Sequence, residues 1–374
     1  MSPFTRRPAL RWLAPLLAVA LLTTAGSVVS ALTATARQSL PPRSAAQLLV
    51  DVQKARLDGL SGTIVQTSDL GLPALPGVAG NNNSEFSSLV SGSHTLRVWY
   101  AGPQRARIAL LGQFGETDLI RNGSDLWVWS SKNNTATHAT VPAGSGTHQD
   151  SGAPAPGAPT TPQQAADQAL KAISPTTTVS TDSSAVVAGR TAYQLVLTPK
   201  DGTSLIGSVR IAIDGATHIP TRVQVFAKGT SSPAFEVGFT SFDPSTPSSS
   251  VFSFNPPPGA TVTERSVPGT GGSDTGGSNR QPTSGDGPKP QVVGTGWTSV
   301  LVASVRQGTS GSSSQPGQLG SLGSTFKSLP TVSGSWGSGH LLEGTVFSVV
   351  LTDDGRLAIG AVSPAALYHA LSVS

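Results

Sequence analysis

The most restrictive stretch of this chain is Asn122-Gly123-Ser124-Asp125-Leu126-Trp127-Val128-Trp129. Asn-Gly is the strongest short hairpin signal, because both residues tolerate the positive φ that a twist-matched turn demands. Side chains alternate along the strand that follows, so Leu126 and Val128 share one face and Trp127 and Trp129 the other. A sheet strand apolar on both faces must be covered on both. A bare Trp face is costly in water, so a second layer must cover it or a cavity must enclose it. The pattern by itself leaves both readings open: an ordinary two-layer core, or a ligand cavity.

The neighbouring residues supply the rest of a meander. Thr95–Ala101 reads as a strand and Gly102-Pro103 as a turn. In Arg105–Leu111, Ala106, Ile108 and Leu110 fall on one face while Arg105 and Arg107 fall on the other. Thr117–Arg121 leads into the Asn-Gly turn, and a last strand ends at Val141. Upstream, Ser44 stands three residues before Gln47, a capping-box spacing, and Leu48, Leu49, Val52 and Ala55 recur at helical intervals until Gly59. Downstream, Thr161-Pro162-Gln163-Gln164 starts a helix that stops before Pro175. Five further strands follow between Ser184 and Phe242, with turns at Gly189-Arg190 and Asp214-Gly215. Val251–Phe254 reads as a closing strand before Pro256-Pro257-Pro258.

The amino terminus directs the chain outward. Arg6, Arg7 and Arg11 precede an apolar run from Trp12, and Ala34-Thr35-Ala36 fits a signal-peptidase site. Residues 12–32 are also long enough to anchor in a membrane, so 1–36 is a signal peptide or an anchor. The same segment explains the apparent basicity. Of 24 Lys and Arg against 20 Asp and Glu, three arginines lie before residue 37. What remains is nearly neutral and lacks the basic footprint of a nucleic-acid binder. With no cysteine, stability must come from a buried core rather than disulfides.

The chemistry of catalysis is missing. The six histidines, at 94, 138, 148, 218, 340 and 369, are scattered without metal-ligand helical spacing. No G-x-S-x-G elbow, Walker loop or dinucleotide fingerprint occurs. Asp201, Asp214 and Asp354 each precede a glycine, as turn residues do. No enzyme, metal or cofactor is expected.

The order of elements around Asn122–Trp129 resembles the LolA/RseB-like superfamily of exported lipoprotein-handling proteins, its actinobacterial members above all. Leu60-Ser61-Gly62-Thr63, Asp69-Leu70-Gly71-Leu72-Pro73, Gly92-Ser93-His94-Thr95-Leu96 and Leu351-Thr352-Asp353-Asp354-Gly355-Arg356 carry the likeness. Gly102-Pro103 departs from the Arg-Pro of the best-known carrier, so its latch is not implied here.

The resemblance implies an α+β fold: a curved, incomplete antiparallel β-barrel with helices as a lid, plus a small α+β C-terminal piece. It places a lipid- or lipoprotein-binding domain at 37–260; composition reads 261–290 as a disordered Gly/Ser/Pro linker and 291–374 as the C-terminal piece with a Gly/Ser insertion at 308–324. It implies an exported, non-enzymatic carrier that shelters an acyl chain of a lipid or lipoprotein. The alternatives are an RseB-like envelope-stress regulator with a membrane protein partner, and a structural envelope protein without ligand. The expected apolar cavity is lined by Val98, Trp99, Ile108, Leu110, Trp127, Trp129, Phe226 and Phe235.

Overall fold

The computed structural model describes residues 40–72, 91–141, 162–266, 290–304, 326 and 328–374. All but its first two residues belong to one unit, Pro42–Ser374. The export segment 1–36, most of the 261–290 linker and the 308–324 insertion lie outside the described residues.

Helix α1 (Ala45–Lys54) starts as its sequence demands. The Ser44 hydroxyl accepts from the Gln47 amide, and the Gln47 side chain accepts from the Ser44 amide. It ends at Lys54 and not at Gly59. Gly59 has another reason to be glycine: a Cβ there would fall 2.5 Å from the Thr246 Cα, where the chain crosses back over the sheet.

The meander contains β1 (Leu60–Ser68), β2 (Gly92–Tyr100), β3 (Arg105–Leu111), β4 (Glu116–Asn122), β5 (Asp125–Ser130) and β6 (Thr135–Thr140). Gly123 takes φ of 65° in the tight β4–β5 turn. Helix α2 (Pro162–Ile173) leads to a second meander of β7 (Thr177–Val187), β8 (Arg190–Pro199), β9 (Ile206–Asp214), β10 (Pro220–Ala227) and β11 (Pro233–Asp243). A final strand, β12 (Thr261–Ser266), completes a 12-stranded sheet ordered β12-β6-β5-β4-β3-β2-β1-β11-β10-β9-β8-β7.

Every pairing in this sheet is antiparallel except β12 with β6, and its edges, β12 and β7, do not pair with each other. The sheet is nonetheless strongly curved, since Phe239 on β11 packs against a cluster formed by Val187, Ala192 and Ala212 of β7, β8 and β9. The architecture is the curved, unclosed half-barrel that the resemblance implied.

Two segments differ from the sequence reading. Thr261–Ser266, placed at the start of the linker, pairs with β6 through six registered residues; alternating Thr-Val-Thr has the β propensity to do so. Val251–Phe254 is no strand. Ser249–Phe252 forms a 3-10 turn, and the chain from 244 to 260 crosses from β11 to β12 over the meander.

The C-terminal piece is a six-stranded antiparallel sheet of β13 (Gln291–Val293), β14 (Val300–Ser304), β15 (Thr331–Gly334), β16 (Gly337–Glu343), β17 (Ser348–Thr352) and β18 (Arg356–Gly360). Helix α3 (Pro364–Val373) packs on one face through Leu367, Ala370 and Leu371 against Val300, Val350 and Ala358. This sheet is docked on the larger one. The Leu205 amide donates to the Ala361 carbonyl at 2.9 Å and the Thr345 amide to the Leu70 carbonyl at 2.7 Å. The Trp297 indole donates to the Thr177 hydroxyl at 2.8 Å, and Val346 packs with Ala227 and Ala234.

Candidate functional site

Residues directly opposite one another across antiparallel strands point to the same side, so the registers sort the eight expected cavity residues. Val98 stands opposite Ile108, Ile108 opposite Leu119, and Leu119 opposite Val128. Leu110 stands opposite Leu96, and Phe235 opposite Val225. Trp99 stands instead opposite Arg107, Arg107 opposite Ile120, and Ile120 opposite Trp127. Trp129 follows Trp127 on that side, and Phe226, one residue after Val225, falls there too. The structure therefore divides the set: Val98, Ile108, Leu110 and Phe235 on one face; Trp99, Trp127, Trp129 and Phe226 on the other.

The aromatic face is filled by the chain itself. Phe254 packs against Trp127 and Trp129 with ring centroids 5.2 and 5.8 Å apart, and Phe252 is fully buried beside Arg105. Sequence reasoning missed this cover; the signal available was the Phe-x-Phe spacing of Phe252 and Phe254 just before the proline run. Phe226 is buried under the Arg210 guanidinium, 4.3 Å from its ring centre.

The same face holds Arg107, Glu116 and Asp118 of the meander. Arg107 donates to the Val251 carbonyl at 3.3 Å, lies over Trp99, bonds Asp118 and approaches Glu116 at 3.5 Å. Asp118 is 1% exposed. Burial, followed by its hydrogen bond with Glu116, raises its pKa to about 6 against the opposing pull of Arg107. At the β12 edge, His138 is 2.8 Å from a Glu264 oxygen and 3.0 Å from an Asp125 oxygen. Among the described residues no group of three His, Asp or Glu side chains is placed to hold a metal ion.

The other face carries a continuous apolar row, with Arg121, Gln66 and His94 towards its ends. Beyond the row from Val98 to Val128, Val237 stands opposite Val223, Val223 opposite Ile211, and Ile211 opposite Leu195. Its cover is uneven. Leu195 and Tyr193 are buried near β7, where the Thr181 hydroxyl, on this same side, donates to the Arg43 carbonyl just before α1. Asp51 of α1 lies 3.9 Å from His218 in the β9–β10 turn. Over β2–β5, Leu96, Val98, Ile108, Leu119 and Leu126 are only half-buried, and Val128 is 39% exposed. A helix thus closes one end of an apolar surface whose other end is open. Leu96, Leu119, Val223 and Ile211 were absent from the expected lining, although alternation would have found them once the strands were paired.

No family model and no curated protein matches the chain. Among solved structures it is similar to the MucA/MucB complex of Pseudomonas aeruginosa, at 14% identity over 87% of this chain and 96% of that one, with a TM-score of 0.40. It is similar to a LolA superfamily protein from Nitrosomonas europaea at 11% identity, over 57% of this chain and 99% of that one (TM-score 0.21). A third is a putative outer membrane lipoprotein-sorting protein domain from Vibrio parahaemolyticus, at 8% identity over 53% of this chain and 92% of that one (TM-score 0.19). At these scores the fold rests on the strand order described above.

Proposed function

We propose that this chain is an exported, non-enzymatic binding protein whose apolar sheet face shelters an acyl chain of a lipid or lipoprotein. The supporting observation is the half-buried row Val98–Ile108–Leu119–Val128, open to solvent beside a stretch of the same face capped near α1. Burying apolar surface drives such binding at about 25 cal/mol per Å². In this reading Phe235 extends the lining and the buried Leu110 supports it, while Trp99, Trp127, Trp129 and Phe226 stiffen the sheet from behind. Mass spectrometry of organic extracts from the isolated chain tests it. Stoichiometric acyl lipid is expected, and a chain that remains lipid-free after gentle isolation overturns it.

One observation favours the regulatory alternative with a membrane protein partner. Val292, Leu301 and Ile359 form a cross-strand row on the C-terminal sheet and are 62%, 42% and 37% exposed. Such a row suits a protein contact. Crosslinking from position 301 in membranes is expected to capture one protein if this reading holds, and none if the face stays bare.

A further inference from the structure

A separate recess lies on the aromatic side of the sheet, away from the apolar row. Where β7 ends, Val186, Val187 and Ala188 fold back towards β1, β10 and β11 and leave a half-open groove of about 400 Å³. Small-ligand sites span about 300–1,000 Å³. Val65, Gly238 and Phe239 line it together with two opposite charges, Arg222 and Glu236.

Those charges do not satisfy each other. Arg222 stands opposite Gly238 and Gln224 opposite Glu236, so Arg222 and Glu236 are diagonal neighbours across β10 and β11. No ion pair forms between them. Glu236 accepts instead from the Gln224 amide at 2.8 Å. Arg222 lies across Gly238, where an added Cβ would sit 2.8 Å from its Cγ, and among the described residues its guanidinium has no hydrogen-bond or ion-pair partner. A recess of mixed polar and apolar lining thus carries, among the described residues, one cation without a partner and one carboxylate that accepts a single bond.

We propose that this groove binds the zwitterionic head of an amphiphile, with its phosphate on Arg222, its ammonium on Glu236 and the first carbons of its chain against Phe239 and Val187. Charge-assisted bonds of this kind are the strong ones, and the fork of Arg222 suits a phosphate. The inference does not rest on the acyl-face reading, because its charged groups belong to the cross-strand row Val65–Gly238–Arg222 and the neighbouring Glu236, on the side of the sheet away from Val98.

The test is calorimetric titration of the full chain with lysophosphatidylethanolamine, lysophosphatidylglycerol and monoacylglycerol. All three carry the same short chain and stay below their critical micelle concentrations. The zwitterion is expected to bind most tightly, and Arg222→Gln to weaken it about tenfold or more. Glu236→Gln should abolish its advantage over the anionic lipid. Gly238→Ala, which displaces Arg222 but keeps its charge, should weaken it as well. Unchanged melting curves for the variants establish that they are folded. The proposal is overturned if no probe binds, if monoacylglycerol binds as tightly as the zwitterion, or if folded Arg222→Gln and Glu236→Gln bind like wild type. Binding on the apolar face alone would be blind to head charge and to both substitutions.

Discussion

Trp127 stacks on His138, with ring centroids 4.2 Å apart and planes 23° from parallel. The imidazole so held also bridges Asp125 on β5 and Glu264 on β12. One side chain thereby joins the aromatic face to the parallel pairing of β12 with β6.

The hydrogen bond to Asp125, followed by burial acting the other way and then the bond to Glu264, leaves the His138 pKa above its ordinary 6.5. A histidine raised by folding contributes stability that is complete below 6.5 and is lost as pH rises through its folded value. The β12 edge should loosen on the alkaline side of 6.5. An NMR titration of His138 is expected to show a midpoint above 6.5, lowered by Asp125→Asn and by Glu264→Gln. A midpoint at or below 6.5 would refute the linkage.

Asp118 should show the carboxylate version of the same sign. Its folded pKa of about 6 lies above the ordinary 3.8, so its contribution is complete below 3.8 and is lost as pH rises through about 6. Asp118→Asn removes that dependence while Arg107 keeps Glu116 and the Val251 carbonyl. The Tm difference between variant and wild type is expected to change between pH 4 and 6 and to level off above. A difference independent of pH across that range would show that Asp118 does not titrate there.

The two faces should respond oppositely to substitution. Trp129→Ala, at a residue 9% exposed, is expected to cost about 3 kcal/mol in denaturant unfolding and to leave co-purifying lipid unchanged per folded molecule. Val98→Asp should abolish the lipid with a smaller loss of stability, because Val98 is only half-buried. Equal lipid content in wild type and Val98→Asp would remove the apolar face from consideration.

Asp214 is a structural charge. Burial pushes its pKa up, but the Arg190 guanidinium and the Thr217 amide and hydroxyl hold it below 3.8. Its contribution is therefore present above 3.8 and is lost as pH falls through the folded value. Asp214→Ala leaves Arg190 and two backbone amides without their acceptor and is expected to destabilise by about 3 kcal/mol at pH 7, measured by urea unfolding.

The local signals were legible wherever one residue's conformation or alternation decides the outcome. The Ser44–Gln47 capping box and the strands of the meander formed as their sequences require, whereas the hairpin turns one residue later than the Asn-Gly signal implied, on Gly123-Ser124 with Asn122 already paired to Asp125. The sides of the sheet were harder to read. Alternation along Leu126–Trp129 shows that two faces exist, but only strand pairing reveals that Trp127 joins Arg107 and Val98 joins Leu119. The cover on the tryptophans was least legible. Phe252 and Phe254 are more than a hundred residues from the strands they pack on, and a 3-10 turn has no strong periodicity to announce it.

The crossing segment between β11 and β12 has a mechanical consequence. Seven strand spacings separate those two strands, about 34 Å at some 4.8 Å each. The 17 residues 244–260 link them by a covalent path pinned at Val251 by Arg107 and at Gly259 by Asn134. Eight strands and this tether make a closed circuit, although no hydrogen-bonded ladder closes it. Peeling the β12 edge must lift the tether and uncover the tryptophans together, so this half of the molecule should open all at once or not at all.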